Sequence, residues 1–184
     1  MNEKIPDGPF VVYHDNGKLS DKGTFRNGVL DGPFESYHDN GQLMDKGTYK
    51  DGPYLDGLYE SYFRNGQLEE RFICSKDGPD SVREIDGLHE SYYENGQIDS
   101  KTTYKNGNWN GPFESYFPNG QLQKKGAYKE NRKNGSYESY FPNGQLHEKS
   151  NYKNGKLDGD YEFYDRNGKL QNIIVIEDEE WWDD

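Results

Sequence analysis

Glutamates are the first residues in this chain whose spacing could serve chemistry. Glu35, Glu60, Glu90, Glu114 and Glu138 recur at near-constant intervals, and carboxylates held at fixed separations are the equipment of acid–base hydrolysis. Each, however, is followed eleven residues later by a base: Lys46, Arg71, Lys101, Lys125 and Lys149. Acids that face cations across an antiparallel pair stabilise a sheet, at a few tenths of a kcal/mol per pair. Successive glutamates two strand spacings apart, roughly 10 Å, are also separated enough for salt to screen them. The other reactive types are no more promising. His14, His38, His89 and His147 stand at different places in the pattern described next, or where Phe and Tyr stand elsewhere in it, and so act as aromatic substitutes. Cys74 has no predictable His or basic helix terminus to activate it. The Asn-Gly and Asp-Gly pairs are turn chemistry, since none lies between a strand and a helix as a phosphate loop would. No catalytic residue, cofactor or metal is expected, and the chain is not read as an enzyme.

The elements that position these residues come from a repeat. Asn110 to Lys129, NGPFESYFPNGQLQKKGAYK, is written seven times with small edits: its opening glycine recurs at Gly8, Gly32, Gly57, Gly87, Gly111, Gly135 and Gly159, at spacings of 24, 25, 30, 24, 24 and 24 residues. A fixed period of this size marks a repeat array. Within a copy, residues 113–117 and 121–128 read as two aromatic-rich strands joined at Pro118-Asn119-Gly120. An Asn-Gly pair in that place predicts a two-residue type I′ loop; the alternative is a three-residue loop with Pro118 opening a type I turn and Gly120 left-handed. The two-residue loop sets Glu114 opposite Lys125, whereas the other register sets Glu35 against Asp45 and Glu138 against Glu148. Opposed like charges cost stability, so the first is adopted. Outer copies lack the pair, with Val11 facing Lys22 and Glu162 facing Ile173.

That register predicts Phe113, Ser115, Phe117, Leu122, Gly126 and Tyr128 on one face, and Glu114, Tyr116, Lys125 and Ala127 on the other. Small residues between the rings of the first face would let the sheet bend over them. A wider turn of the type of residues 105–111 joins each hairpin to the next. The expected fold is all-β: an elongated, curved, single-layer antiparallel meander of about seven stacked hairpins. Its fourteen or so strands would span on the order of 65 Å.

Residues 1–6 are a short lead, 7–176 the array, and 177–184 an acidic tail. The third copy, 56–85, carries an insertion near Phe72, a candidate contact loop. Leu, Ile, Val and Phe make up fewer than one residue in five, and the net charge is −12, a combination that ordinarily reads as disorder. Sixteen Tyr, recurring at fixed places in the period, and three Trp supply the missing apolar mass. Acidity argues against nucleic acid or an anionic membrane as partner and favours a basic protein. A lone cysteine and opening residues without a basic n-region or apolar h-region point to the cytoplasm.

Two sets of residues suit recognition. Tyr37, Tyr62, Tyr92, Tyr116, Tyr140 and Tyr164 form a row on the charged face, and tyrosine offers large contact area at low entropic cost. Trp181 and Trp182, ringed by acids that include Glu179 and Glu180, would suit a basic groove.

Tandem copies of G-x-Y/F-E-x-Y-x-x-N-G-Q-L-x-x-K-x-x-Y-K-N-G at this period resemble the divergent bacterial form of the MORN repeat found in YwqK-like antitoxins. The resemblance covers residues 7 to about 171. It implies stacked β-hairpins in an elongated sheet, and an antitoxin or immunity role in which the protein, a monomer when free, binds and silences a bacterial toxin. A nuclease, with its basic substrate groove, would explain the acidity. The alternative is a structural scaffold that assembles or attaches to envelope components.

Overall fold

In every copy the two aromatic-rich segments pair as antiparallel strands, and every pairing joins segments close in sequence. The computed structural model describes residues 6–52, 54–75 and 84–175. They form one open sheet of 19 strands. Fourteen are the hairpin strands, such as Gly32–Tyr37 with Leu43–Lys50, and five are two-residue strands in the wider connections, such as Val29–Leu30. No helix is present among the described residues, hence none that is long and apolar enough to cross a membrane. The elongated, curved all-β meander expected from the period is the fold.

The register is the expected one, with Glu114 opposite Lys125 and Glu35 opposite Lys46, but the loop that produces it is not. Phe117 C=O accepts from Gly120 N–H at 2.8 Å, and Phe117 N–H donates to Gln121 O at 2.7 Å. Only Gly120 of this turn has a positive φ, 82°. This is the three-residue loop, a type I turn closed by a left-handed glycine. The pairing then slips by one residue between Ser115 and Tyr116, so that Ser115 faces Lys124 while Tyr116 faces Leu122. Gln123 is the extra residue of a β-bulge. One residue more in the loop and one more in the strand cancel, which restores the Glu–Lys register. The physical reason lies in Asn119: its Oδ1 accepts from Gln121 N–H at 3.1 Å and its Nδ2 donates to Pro142 O of the next copy at 3.3 Å. The side chain is spent on capping the turn and reaching forward.

Two-residue loops do occur, at the other connection. Asn106 and Gly107 have φ of 49° and 71° between the paired Lys105 and Asn108, as a type I′ turn requires. Asn27-Gly28 and Asn154-Gly155 repeat this.

Burial separates the faces, with Glu90 of the charged line the exception. Phe34, Ser36, Leu55, Ser61, Phe72, Cys74, Thr102, Ser139 and Ser150 are all buried, and the pairings place all of them on the Phe113 side of the sheet. With no second layer to cover them, the sheet must bend over this face, which is therefore the inner one. Aromatics and small residues alternate across it: Phe10 faces Gly23, Phe34 faces Gly47 and Phe113 faces Gly126. The centre of the core is Phe34, Leu55, Phe72 and Cys74, with Tyr49, Tyr59 and Ile85 against it. From there ring contacts run along the sheet through Phe72–His89, His89–Tyr104 and Trp109–Tyr128, at 5.5, 5.9 and 4.7 Å between centroids.

Gly47 holds this packing open. Its φ is ordinary, but a Cβ there would lie 3.0 Å from Phe34 Cε1 and 3.5 Å from Leu55 Cδ2. Gly47→Val is expected to lower stability by about 1–3 kcal/mol through overpacking, despite valine's better strand propensity. Gly23→Val, beside the half-buried Phe10 of the first strand, should cost less. Urea denaturation of the two variants measures the difference.

Candidate functional site

The outer face carries a line of alternating charge that crosses the whole sheet. Within hairpins Glu35, Glu60, Glu90, Glu114 and Glu138 face Lys46, Arg71, Lys101, Lys125 and Lys149. Between hairpins Lys22 faces Glu35, Lys46 faces Glu60, Arg71 faces Glu90, Lys101 faces Glu114, Lys125 faces Glu138 and Lys149 faces Glu162. Every base except the first therefore lies between two acids. Val11 and Ile173 close the two ends.

The short ionic contacts differ from the within-hairpin pairs that the sequence suggests. Lys22 Nζ lies 2.7 Å from Glu35 Oε2, Lys46 Nζ 2.6 Å from Glu60 Oε2, Arg71 Nε 2.5 Å from Glu90 Oε2 and Lys125 Nζ 2.9 Å from Glu138 Oε2. All four cross from one copy to the next. A tyrosine of the same strand shares the carboxylate. Tyr62 and Tyr116 donate to Glu60 and Glu114 Oε2 at 2.9 and 2.5 Å, and Tyr37, Tyr140 and Tyr164 donate in the same way to Glu35, Glu138 and Glu162. The preceding copy's lysine reaches over the same ring, with Lys22 5.8 Å from the Tyr37 centroid and Lys46 5.7 Å from that of Tyr62. Ammonium and phenol converge on one carboxylate oxygen. These triads lie at junctions between hairpins, where Lys124–Ser139 and Lys125–Glu138, with Tyr128–Lys133 and Lys129–Arg132 at the connection, give four pairs against six inside the hairpin before them.

Titration follows from this arrangement. Lys22, then Tyr37, holds the Glu35 carboxyl below its ordinary value. Burial pushes Glu60 and Glu138 upward, but Lys46 with Tyr62 and Lys125 with Tyr140 outweigh it and leave both lowered. Lys22, Lys46 and Lys125 are raised, chiefly by their glutamates. Burial, then Glu114, pushes Tyr116 up to about 12.

Two further rows flank the charges. The tyrosine row expected for partner contact is on this face and half-buried, its hydroxyls committed to glutamates. It is widened by residues that the sequence reading put on the inner face: the bulge sets Leu122 opposite Tyr116, as it sets Leu43 opposite Tyr37, Leu68 opposite Tyr62 and Ile98 opposite Tyr92. On the other flank Leu58 pairs with Ile73, and the register of Arg71 with Glu90 carries on to bring Leu88 beside Ile73. These three are 54, 50 and 48% exposed. Sequence reasoning missed this strip; Leu58 and Leu88 at one repeat position, with Ile73 at the position that faces it, were the available signal.

Phe72, expected at a contact loop, is instead core. It is 5% exposed, with Tyr59 and His89 at 4.9 and 5.5 Å, because residues 68–75 continue as a strand. The rest of the insertion, 76–83, lies outside the described residues, as do Trp181, Trp182, Glu179 and Glu180. His14 and His38 reach forward like the asparagines, Nε2 donating to Tyr37 O at 2.8 Å and Tyr62 O at 2.9 Å.

Two outcomes are expected from the triads. Arg71→Ala removes the cation in contact with Glu90, whose side chain is 9% exposed, leaves only Lys101 opposite it, and should cost about 1–3 kcal/mol. Lys22→Ala frees the more accessible Glu35 and should cost less, because solvent screens an exposed pair; urea midpoints distinguish the two. The lowered carboxyls add stability that is present above the ordinary value of 4.5 and lost as pH falls through their native values. The raised lysines and tyrosines add stability that is present below about pH 10 and lost as pH rises through theirs. Urea midpoints should be flat from roughly pH 5 to 9 and fall on both sides, and Glu60→Gln should flatten the acid limb.

No curated protein matches the chain in sequence. The profile described as MORN repeat variant matches seven times, at residues 6–27, 30–51, 55–72, 85–106, 109–130, 133–154 and 157–177. The third match stops at Phe72, where the insertion follows. With seven matched copies set on seven stacked hairpins, the chain belongs to the MORN repeat variant family.

Proposed function

We propose that this chain is a non-catalytic binding protein, an antitoxin or immunity protein that neutralises a bacterial toxin by direct contact and occlusion in the cytoplasm. The observation that carries the reading is the outer face itself. A strip of exposed aliphatics, Leu58, Ile73 and Leu88, runs beside a continuous row of half-buried Tyr–Leu pairs. Aromatic and aliphatic area framed by charge is what a partner buries at the centre of an interface. The charged line between the rows is largely self-neutralised, so docking there need not strand an unpaired ion. The net charge of −12 favours a basic partner and speeds encounter with it. A nuclease, whose substrate groove must be basic, is the toxin class that fits. The candidate acids of a hydrolase are held by cations and phenols, which favours binding over catalysis. A scaffold role is the second reading, favoured by the two unpaired edges of the sheet.

Co-expression with the product of the adjacent gene tests the proposal. A stable complex and rescue of growth from that product's toxicity are expected. Leu58→Asp with Leu88→Asp should weaken the complex at least about tenfold and leave the thermal midpoint within a few degrees, since both side chains are exposed. No complex and no rescue would remove the antitoxin reading.

A further inference from the structure

Among the described residues the sheet ends in two strands paired on one side alone, Gly8–Tyr13 and Leu170–Ile174, and both are apolar where the interior is charged. Val11, at the start of the charged line, is 52% exposed, and Ile173, at its finish, is 43% exposed; Val12, Ile174 and Val175 beside them are exposed as well. Uncovered apolar edge strands are association sites in waiting. What would cover them is indicated by the repeat. Inside the array, the second strand of one copy pairs with the first strand of the next through Lys125–Glu138 and Lys124–Ser139. The equivalents at the two ends are Ile173 with Val11 and Asn172 with Val12. Laid edge to edge in the same register, two molecules would set isoleucine against valine where every interior junction sets a cation against a glutamate.

The tight turns lead to the same partner. Asn16, Asn40, Asn65, Asn95, Asn119 and Asn143 each donate Nδ2 to a backbone carbonyl in the following copy, at Asp39, Arg64, Glu94, Pro118, Pro142 and Arg166. Asn167 is the seventh, and among the described residues no such carbonyl follows it. In a second molecule, the carbonyl at the equivalent place is that of Asp15. Asp165, which replaces the aromatic of this turn, is satisfied locally by Asn167 N–H and Lys169 N–H at 2.9 and 3.0 Å, so its charge is held within its own turn.

We infer that the free protein associates head to tail, the last strand of one molecule pairing with the first strand of another in the register of the internal junctions. The two surfaces are different, so the contact is heterologous. It builds open chains of molecules and not a closed dimer. The inference stands whether or not the chain neutralises a toxin, and it replaces the expectation of a monomer.

Sedimentation velocity of the full chain over a wide dilution series tests it. Species larger than a dimer should grow with concentration. Val11→Lys with Ile173→Lys places like charges at the junction and should weaken association at least about tenfold, with circular dichroism unchanged because both side chains are exposed. Val11→Glu with Ile173→Lys rebuilds the interior pair and should restore association, now weakened by salt. A monodisperse monomer at every concentration would overturn the inference. So would association that the paired lysines leave unchanged.

Discussion

A sheet with no second layer must satisfy both of its faces alone, and that constraint shapes the rest of this molecule. The inner face hides its rings by curving, which is possible because Gly23, Gly47 and Gly126 face Phe10, Phe34 and Phe113. The outer face cannot be buried in the same way. It is made water-compatible and cohesive at once, through a line in which each interior cation stands between two carboxylates and each phenol steadies a carboxylate for the cation behind it.

The placement of those contacts has an energetic logic. Backbone pairing is fuller within a hairpin than across the Lys125–Glu138 junction, so an array held by its ladders alone would be weaker at such a junction. Lys22–Glu35, Lys46–Glu60, Arg71–Glu90 and Lys125–Glu138 cross those junctions, joined by the asparagine and histidine bonds that reach forward from each tight turn. Individually these are modest and partly screened. Repeated at successive junctions they set the nearest-neighbour term that governs a one-dimensional array. Such a strip resists separation of its copies while leaving Leu58, Ile73 and Leu88 exposed beside it.

Much of this was legible beforehand. The period, the hairpins and the strand register follow from glycine spacing and from the demand that Glu114 meet Lys125 and not another acid. The route to that register was not legible. An Asn-Gly pair suits two turn types equally, and the choice fell to bonds that Asn119 makes to Gln121 and to Pro142, one local and one in another copy. The compensating bulge moved Leu122 to the side of Tyr116, which strict alternation could not foresee. Phe72 was misplaced for a related reason: an insertion suggests a loop, but the strand runs through Ser75 before the chain departs.

The sequence by itself determined a repeat of hairpins, which residues form turns and which charges stand opposite one another, because these depend on separations within a single period. Only the tertiary structure decided which of two flanking glutamates Lys46, Arg71 and Lys125 touch, which face curls inward and which apolar side chains are left exposed at Leu58, Ile73, Leu88 and the two edges. Those outcomes depend on contacts between copies, where two equivalent partners lie at equal distance along the pattern and only packing in three dimensions breaks the tie.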